Sequence, residues 1–444
     1  MYPVVLLVVS VVLLLVLISK LHLHAFLSLL LVSLLLGVAS GLSLVDVANL
    51  VAAGFGGTMQ NIGIVIVCGV IMGEVLEQTG AAQKIANSIL RLVGIKRAPL
   101  ATAITGGVVS IPTFCDSGFV ILNPVIKELS RVGKIPYMVL VSALMAGLLT
   151  THSLVPPTPG PIAAAGILGA DVGKVMLYGL IISIPVIVGT ALFSNSKFIR
   201  SRYPEFAEED ATSQQESAAY KATVKHAPST FMSYMPIVVP IILIVVRSFV
   251  TLYGDPKAAL SIFLTFIGTP YIALLIGTFI SFLLPKKLTG EVTDTWVSTA
   301  IQKSAEIVLI TGIAGCFGKI LQATGVGPIL ADAMVKTGMP SVVLPFLISA
   351  IVLIAQGSAT VALTTTAAII LPMLGGLGIS PELAVIAIAG GSFCGVFPQG
   401  SYFWCVSKLA GYDIKKGYIA VTLTSFVMGG IAFVSILLMS LVVA

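Results

Sequence analysis

Twelve long apolar stretches, nearly free of charge, decide what this chain can fold into. Ten are long enough to cross a bilayer: residues 2–19, 22–40, 58–77, 136–170, 175–194, 233–253, 259–284, 303–322, 382–410 and 418–443. Two more, 98–126 and 340–373, are long but interrupted by Pro, Gly and polar residues. A helical crossing takes roughly 20 apolar residues. Lipid offers backbone amides no partner outside the helix. Only 9% of the 444 residues are charged, against about 25% in a soluble domain, so the chain cannot cover itself with an aqueous surface. The expected fold class is all-α, a polytopic membrane protein whose main partner is the lipid bilayer. The first apolar run has no basic leader and no small-residue cleavage site. It reads as the first span and not as a cleaved signal.

The formal net charge of +6 is too dilute for nucleic acid, and it matters through where the positives fall. The five cysteines, Cys68, Cys115, Cys316, Cys394 and Cys405, stand in apolar or small-residue surroundings without metal-ligand spacing. They read as small buried hydrophobes.

The chain repeats itself. Gly73-Glu74-Val75-Leu76-Glu77-Gln78-Thr79-Gly80 matches Gly318-Lys319-Ile320-Leu321-Gln322-Ala323-Thr324-Gly325 at an offset of 245 residues, from Gly80 to Gly325. Pro136 and Pro381 keep that offset. Pro156 with Pro398 and Asp171 with Asp413 follow at 242. Several matches in order at nearly constant offset indicate two related halves. They span 1–195 and 233–444, joined by a hydrophilic linker at 196–232.

Basic residues set the orientation. Segment 84–97 carries Lys84, Arg91, Lys96 and Arg97, whereas its counterpart 329–342 carries only Lys336. Segment 127–134 carries Lys127, Arg131 and Lys134, whereas 375–382 has no Lys or Arg. The first-half segments and the linker are therefore expected in the cytoplasm and the second-half segments outside, which makes the repeats inverted. Stretch 98–126 then enters and leaves by one face, as a re-entrant hairpin with Pro112 near its tip. Stretch 340–373 becomes its counterpart, with Gln356-Gly357-Ser358 near the tip. Each half has about five spans and one hairpin, with broken helices at the midplane. Irregular backbone at that depth is tolerated only in protein or beside a water-filled cavity, so the tips point to a central polar site.

Four segments supply candidates for it. In Ser110-Ile111-Pro112-Thr113-Phe114-Cys115-Asp116-Ser117, Asp116 is a carboxylate at membrane depth. It costs about 2.5–3.5 kcal/mol on insertion scales, which points to a task or a partner. It is the candidate proton carrier, the alternative being a plain helix cap. Ser110, Thr113, Ser117 and the amides freed near Pro112 can hold an anion. In Thr150-Thr151-His152-Ser153-Leu154-Val155-Pro156-Pro157-Thr158-Pro159-Gly160-Pro161, the prolines forbid a continuous helix. His152 is a second proton-coupling candidate, and Thr151, Thr158 and Gly160 flank the break. Gln356, Ser358 and Thr360 stand at the second tip, where small residues also serve helix contact. Gln399 and Ser401 sit in the counterpart of the proline-rich break and can bind hydroxyls. Glu74, Arg247, Lys303, Glu306 and Lys319 lie near span ends and are expected to snorkel to the interface.

The T-H-S-L-V-P-P-T-P-G-P run, the S-I-P-T-F-C-D-S-G-F-V-I-L-N-P run and the earlier G-F-G-G-T-M-Q-N-I-G run (residues 54–63) resemble the gluconate permease family of proton symporters, within the ion-transporter superfamily. The resemblance covers nearly the whole chain. It implies proton-coupled uptake of gluconate or a related small hydroxy- or amino-acid anion across a bacterial inner membrane. Gluconate-type members read F-F-E-V-G-F where this chain has Phe114-Cys115-Asp116-Ser117-Gly118-Phe119, so the acid is kept but shortened. They also carry a second histidine where this chain has Thr158. Both departures touch the inferred site and leave smaller hydroxy acids open.

The expected function is secondary symport by alternating access, with the proton on Asp116 and His152 and the substrate held by the hydroxyl and amide groups named above. Sodium is the alternative coupling ion, since unwound carbonyls suit it as well. No phosphate-binding Gly-Lys-Ser/Thr loop is present, which argues against ATP drive, and no cofactor is called for. An intramembrane enzyme would need a nucleophile–base pair or a metal cluster. His22, His24 and His226 fall in a loop and the linker, too few and too scattered for a metal site at membrane depth. A channel is disfavoured by the broken, repeated helices. A homo-oligomer is compatible with the sequence, which specifies none.

Overall fold

The computed structural model describes residues 2–94, 97–207, 211–253, 255–325, 339–398 and 400–443, and every regular element among them is helical. Helices α1 (Tyr2–Ser19) and α2 (Ala25–Ala39) lead to α3 (Leu44–Gln78). Ser43 caps α3 by accepting the Asp46 amide at 3.1 Å. Then come α4 (Ala81–Val93), α5 (Ala98–Val109), α6 (Cys115–Gly133), α7 (Tyr137–Leu154), α8 (Pro159–Leu168) and α9 (Val172–Ser194). Two connecting helices, α10 (Lys197–Arg202) and α11 (Ala211–His226), precede α12 (Thr230–Tyr253), α13 (Ala259–Ile267) and α14 (Pro270–Ser281). A π-helical turn (Glu291–Thr295) opens α15 (Trp296–Ala323), followed by α16 (Val343–Gln356) and α17 (Ala359–Ile370), which continues to Leu377. The chain ends with α18 (Pro381–Gly391), α19 (Ser401–Leu409) and α20 (Thr424–Val443), the last entered through Ile414–Gly417 and a π segment, Tyr418–Leu423.

Among the described residues, six helices are long and apolar enough to cross a membrane, and up to eight if each bent pair counts as one span. Two stretches expected as plain spans are bent. The helix containing residues 58–77 starts earlier, at Leu44, and bends by 45° between Gln60 and Gly63. Residues 259–284 bend by 66° where Thr269-Pro270 interrupts the ladder. Proline removes one amide and displaces the preceding turn, which accounts for the second bend. The segment that pairs with α4 in the repeat, 326–338, lies outside the described residues.

The centre is built on close backbone approach. Helices α3 and α15 run against each other. A Cβ on Gly54 would lie 2.6 Å from the Cys316 Cα, and one on Gly315 would lie 2.7 Å from the Gly54 carbonyl oxygen. Only glycine permits this, as at small-residue contacts between membrane helices generally. Every residue of α7 is buried, walled by α5, α6 and α9. A helix apolar all round and buried all round is an interior span. The outer helices show the opposite. No residue of α13 is buried, and Leu260, Phe263 and Phe266 stand exposed, a face suited to lipid.

The connection between the halves is docked on the bundle. Helix α11 packs on α4 and α6. The Tyr137 amide donates to the Glu205 carbonyl at 2.9 Å, the Ala207 amide to Ser130 Oγ at 3.0 Å, and Ile199 is fully buried. The Tyr220 hydroxyl donates to the Gln83 carbonyl of α4 at 3.1 Å.

Candidate functional site

Two short turns and two helix breaks come together. The first turn, residues 110–114, joins α5 to α6 and contains Pro112, as the interruption in 98–126 predicts. It is fixed by its own side chains: Ser110 Oγ donates to the Thr113 carbonyl at 3.3 Å, and Thr113 Oγ1 to the Val109 carbonyl at 2.7 Å. The second turn is Gly357-Ser358. Gly357 takes a left-handed φ of 76° to end α16, a conformation glycine adopts without cost. Ser358 caps α17 by accepting the Val361 amide at 3.4 Å. The first break separates α7 from α8 over residues 155–158, and the second separates α18 from α19 over residues 392–400.

The contacts link all four. The first turn meets the first break in a cleft of about 10 Å³ lined by Pro112, Thr113, Phe114, Pro157, Thr158 and α3 residues Gly69 and Val70. At the first break, Gly160 faces the second half. A Cβ there would lie 2.6 Å from Leu363 Cδ1 and 3.8 Å from Thr360 Oγ1. The second turn meets the second break, where a Cβ on Gly400 would lie 2.5 Å from the Gly357 carbonyl. Finally, Cys405 of α19 approaches the Asp116 carbonyl at 3.8 Å.

Sequence candidates fall into distinct settings. Thr151 Oγ1 donates to the Gly107 carbonyl at 2.7 Å and Thr158 Oγ1 to the Val155 carbonyl at 2.6 Å, so, like Ser110 and Thr113, they spend their hydrogens on backbone. Such hydroxyls keep only acceptor capacity, which does not suit an anion. His152 is different: it is buried and its Nδ1 has no partner, with its ring centroid 6.0 Å from that of Phe114. Ser153 Oγ and both amide atoms of Gln356 are likewise buried without partners. A buried polar atom left so costs about 1–3 kcal/mol. Ser401 is exposed at the start of α19. Gln399 lies outside the described residues.

Asp116 sits in the first turn of α6, where the helix dipole favours a negative charge. Cys115 Sγ lies 3.8 Å from its Oδ2, and Cys405 and the Tyr402 phenol belong to the same cluster. Two of the five cysteines therefore contact the candidate proton carrier and are more than apolar filler. No hydrogen bond joins Asp116 to His152.

One cluster went unread in the sequence. Glu74 does not snorkel: its side chain is 2% exposed. It pairs with Lys303 at 2.5 Å and accepts from Gln78 Nε2 at 2.8 Å. One helical turn along, Glu77 is near both of these charges and receives a hydrogen bond from Ser117. The pair joins α3 to α15 across 229 residues, and Glu77 beside it meets the first turn of α6 through Ser117. A buried charge needs such a partner. The only sequence signal was Glu at i and i+3 with Gln at i+4. Glu306 and Arg247 are paired too, with His24 at 3.4 Å and Asp171 at 3.8 Å.

A large cavity, about 1200 Å³, lies elsewhere, between α4, α6 and α11. Among the described residues three lysines and one carboxylate line it: Lys221 pairs with Glu128 at 2.8 Å and Lys84 donates to the Val224 carbonyl at 3.4 Å. Burial beside Glu128 raises the Tyr220 phenol there above its ordinary pKa.

Comparison with known proteins gives this geometry a setting. A family model described as GntP family permease matches residues 2–442. An uncharacterized permease of Haemophilus influenzae is 37% identical over 454 aligned positions, covering 99% of this chain and 92% of that one. The high-affinity gluconate transporter of Escherichia coli is 30% identical, covering 99% of this chain and 100% of its own. Among solved structures, Neisseria gonorrhoeae MtrF superposes with a TM-score of 0.70 at 16% identity, covering 90% of this chain and 85% of MtrF, which shows a shared fold.

Proposed function

Because the chain belongs to the GntP permease family, we propose that it carries gluconate or a related small hydroxy-acid anion together with a proton. It is a multi-pass protein of the bacterial inner membrane and a secondary transporter of organic anions, not an enzyme. The substrate lies at the level of Thr158, Gly160 and Thr360, between the two turns. Asp116 carries the proton, with His152 beside the substrate as donor or second acceptor.

The observation that carries this reading is the set of buried polar atoms without partners next to the first break and the second turn: His152 Nδ1, Ser153 Oγ and the Gln356 amide. A polyhydroxy acid supplies both donors and acceptors to them, and desolvated polar groups left unpaired favour the ligand that pairs them. The element order supports two inverted halves, 1–195 and 233–444, with a cytoplasmic linker between. A pair of helices joined by a short turn occurs as α5–α6 and as α16–α17. A broken span occurs as α7–α8 and as α18–α19. Contacts between the halves recur crosswise, α8 with α17 and α6 with α19. Alternating access then moves the turns against the α3–α15 pair.

Reconstituted protein with separate gradients tests this. One proton with one monoanion moves no net charge. An outside-acid gradient of one pH unit, without sodium, is worth about 1.4 kcal/mol per proton. The expected result is about tenfold accumulation of labelled gluconate. Accumulation driven by a sodium gradient at equal pH, and none by the pH gradient, refutes proton coupling.

A further inference from the structure

A second cavity, about 320 Å³, opens along the same helices that carry Gly160 and Thr360. Its walls come from the first half of α3 (Thr58, Gln60), the end of α8 (Gly169), α15 (Lys319, Gln322) and Leu371 beyond α17. Its size falls within the roughly 300–1,000 Å³ of small-molecule sites. Among the described residues no carboxylate lines it, and Lys319 is the only charged lining residue. No ion pair or hydrogen bond engages Lys319 among the described residues. The donor of Thr58 is spent on the Gly54 carbonyl at 2.9 Å, which leaves the Lys319 ammonium and two carboxamides facing the space.

The repeat sharpens the contrast. At the offset of 245, Lys319 is the counterpart of Glu74, and Thr58 is the counterpart of Lys303. At one end of the α3–α15 pair these positions hold a carboxylate and a lysine that neutralise each other at 2.5 Å. At the other end they hold a lysine and a threonine, and among the described residues no carboxylate compensates the lysine. Thr58 and Glu74 are 16 residues apart, roughly 24 Å along the helix. Two ends of one helix pair therefore present different conditions: at one the lysine is paired with a buried carboxylate, at the other the lysine faces open space.

We propose that Lys319, with Gln60 and Gln322, forms an outer vestibule that captures the carboxylate of the substrate before it passes along α8 and α17 to Thr158 and Thr360. The proposal rests on the reading of the chain as an organic-anion transporter. Capture at a mouth lowers the concentration needed for uptake and does not touch the slow conformational step. A charge at such a position acts on encounter and is screened by salt.

Exchange of labelled gluconate by the reconstituted full chain tests it. Lys319→Gln should raise KM about tenfold and keep kcat within about twofold. Lys319→Arg should stay within about threefold of wild type in both constants. Gln322→Glu, which places a carboxylate beside the ammonium, should raise KM as well. Added salt should raise the wild-type KM and leave that of Lys319→Gln nearly unchanged. A Lys319→Gln protein with wild-type KM, or with lower kcat at constant KM, overturns the vestibule while leaving the transport reading intact. Loss of all exchange in Lys319→Gln together with wild-type behaviour in Gln322→Glu overturns it too, since the lysine is then structural. Wild-type protein that exchanges no gluconate refutes the gluconate reading and the vestibule with it.

Discussion

Asp116→Asn should exchange substrate across the membrane and fail to accumulate it. The change keeps the size and the first-turn position of the side chain and removes only its ability to ionise. Under a one-unit pH gradient the accumulation ratio should fall from about ten to about one, while exchange at equal pH stays within about threefold. The surroundings favour this outcome. Cys115, Cys405 and Tyr402 around Asp116 are groups an amide can replace a carboxylate beside without leaving a charge unpaired. The Glu74–Lys303 pair joins α3 to α15 and stays in place. Wild-type accumulation in Asp116→Asn would remove Asp116 from coupling and move attention to Glu77, which accepts a hydrogen bond from Ser117.

The largest structural effect is expected at Gly147. This residue lies in the middle of α7, where a Cβ would collide with the Ala103 carbonyl and stand 3.0 Å from the Gly107 amide. The obstacle is backbone on α5, not the end of a flexible chain, and α7 is buried on every side. Relief therefore means moving a helix whose Gly107 carbonyl also holds Thr151. Overpacking a core costs about 1–3 kcal/mol and occasionally more, and a backbone collision belongs at the upper end. Gly147→Ala should cut the monodisperse yield in detergent at least about fivefold, as a loss of about 1 kcal/mol already shifts a two-state ratio by that factor. Gly56→Ala is the control. Nothing lies within 4 Å of its Cβ position, and alanine favours a helix by about 1 kcal/mol over glycine, so its yield should match or exceed wild type. Equal yields for the two variants would mean that α5 and α7 do not meet as described.

Local features carried much of this architecture. The turn at Pro112 and the turn at Gly357-Ser358 were legible because a proline or a left-handed glycine interrupts an apolar run wherever it falls. The break at 155–158 was legible for the same reason. The hydroxyl bonds of Thr113 to Val109 and Thr158 to Val155 span only four and three residues. Competition of that kind between side chain and backbone follows from spacing, yet these residues read first as ligands for an anion. The Glu74–Lys303 pair was not legible. Each residue alone near a span end reads as snorkelling, and only the approach of α3 to α15, set by Gly54 and Gly315, brings them together. The Cys115–Asp116–Cys405 cluster likewise depends on α19 reaching α6. The docking of the linker depends on single contacts such as Ala207 with Ser130, which leave no periodic trace.

A structure of the protein with gluconate bound tests the central claim most directly. The account predicts the ligand between the first break and the second turn, within contact of Thr158, Gly160 and Thr360, with His152 or Gln356 bonded to it. Ligand in the large cavity between α4, α6 and α11, with the Thr158–Thr360 level empty and His152 Nδ1 still unpartnered, would contradict it.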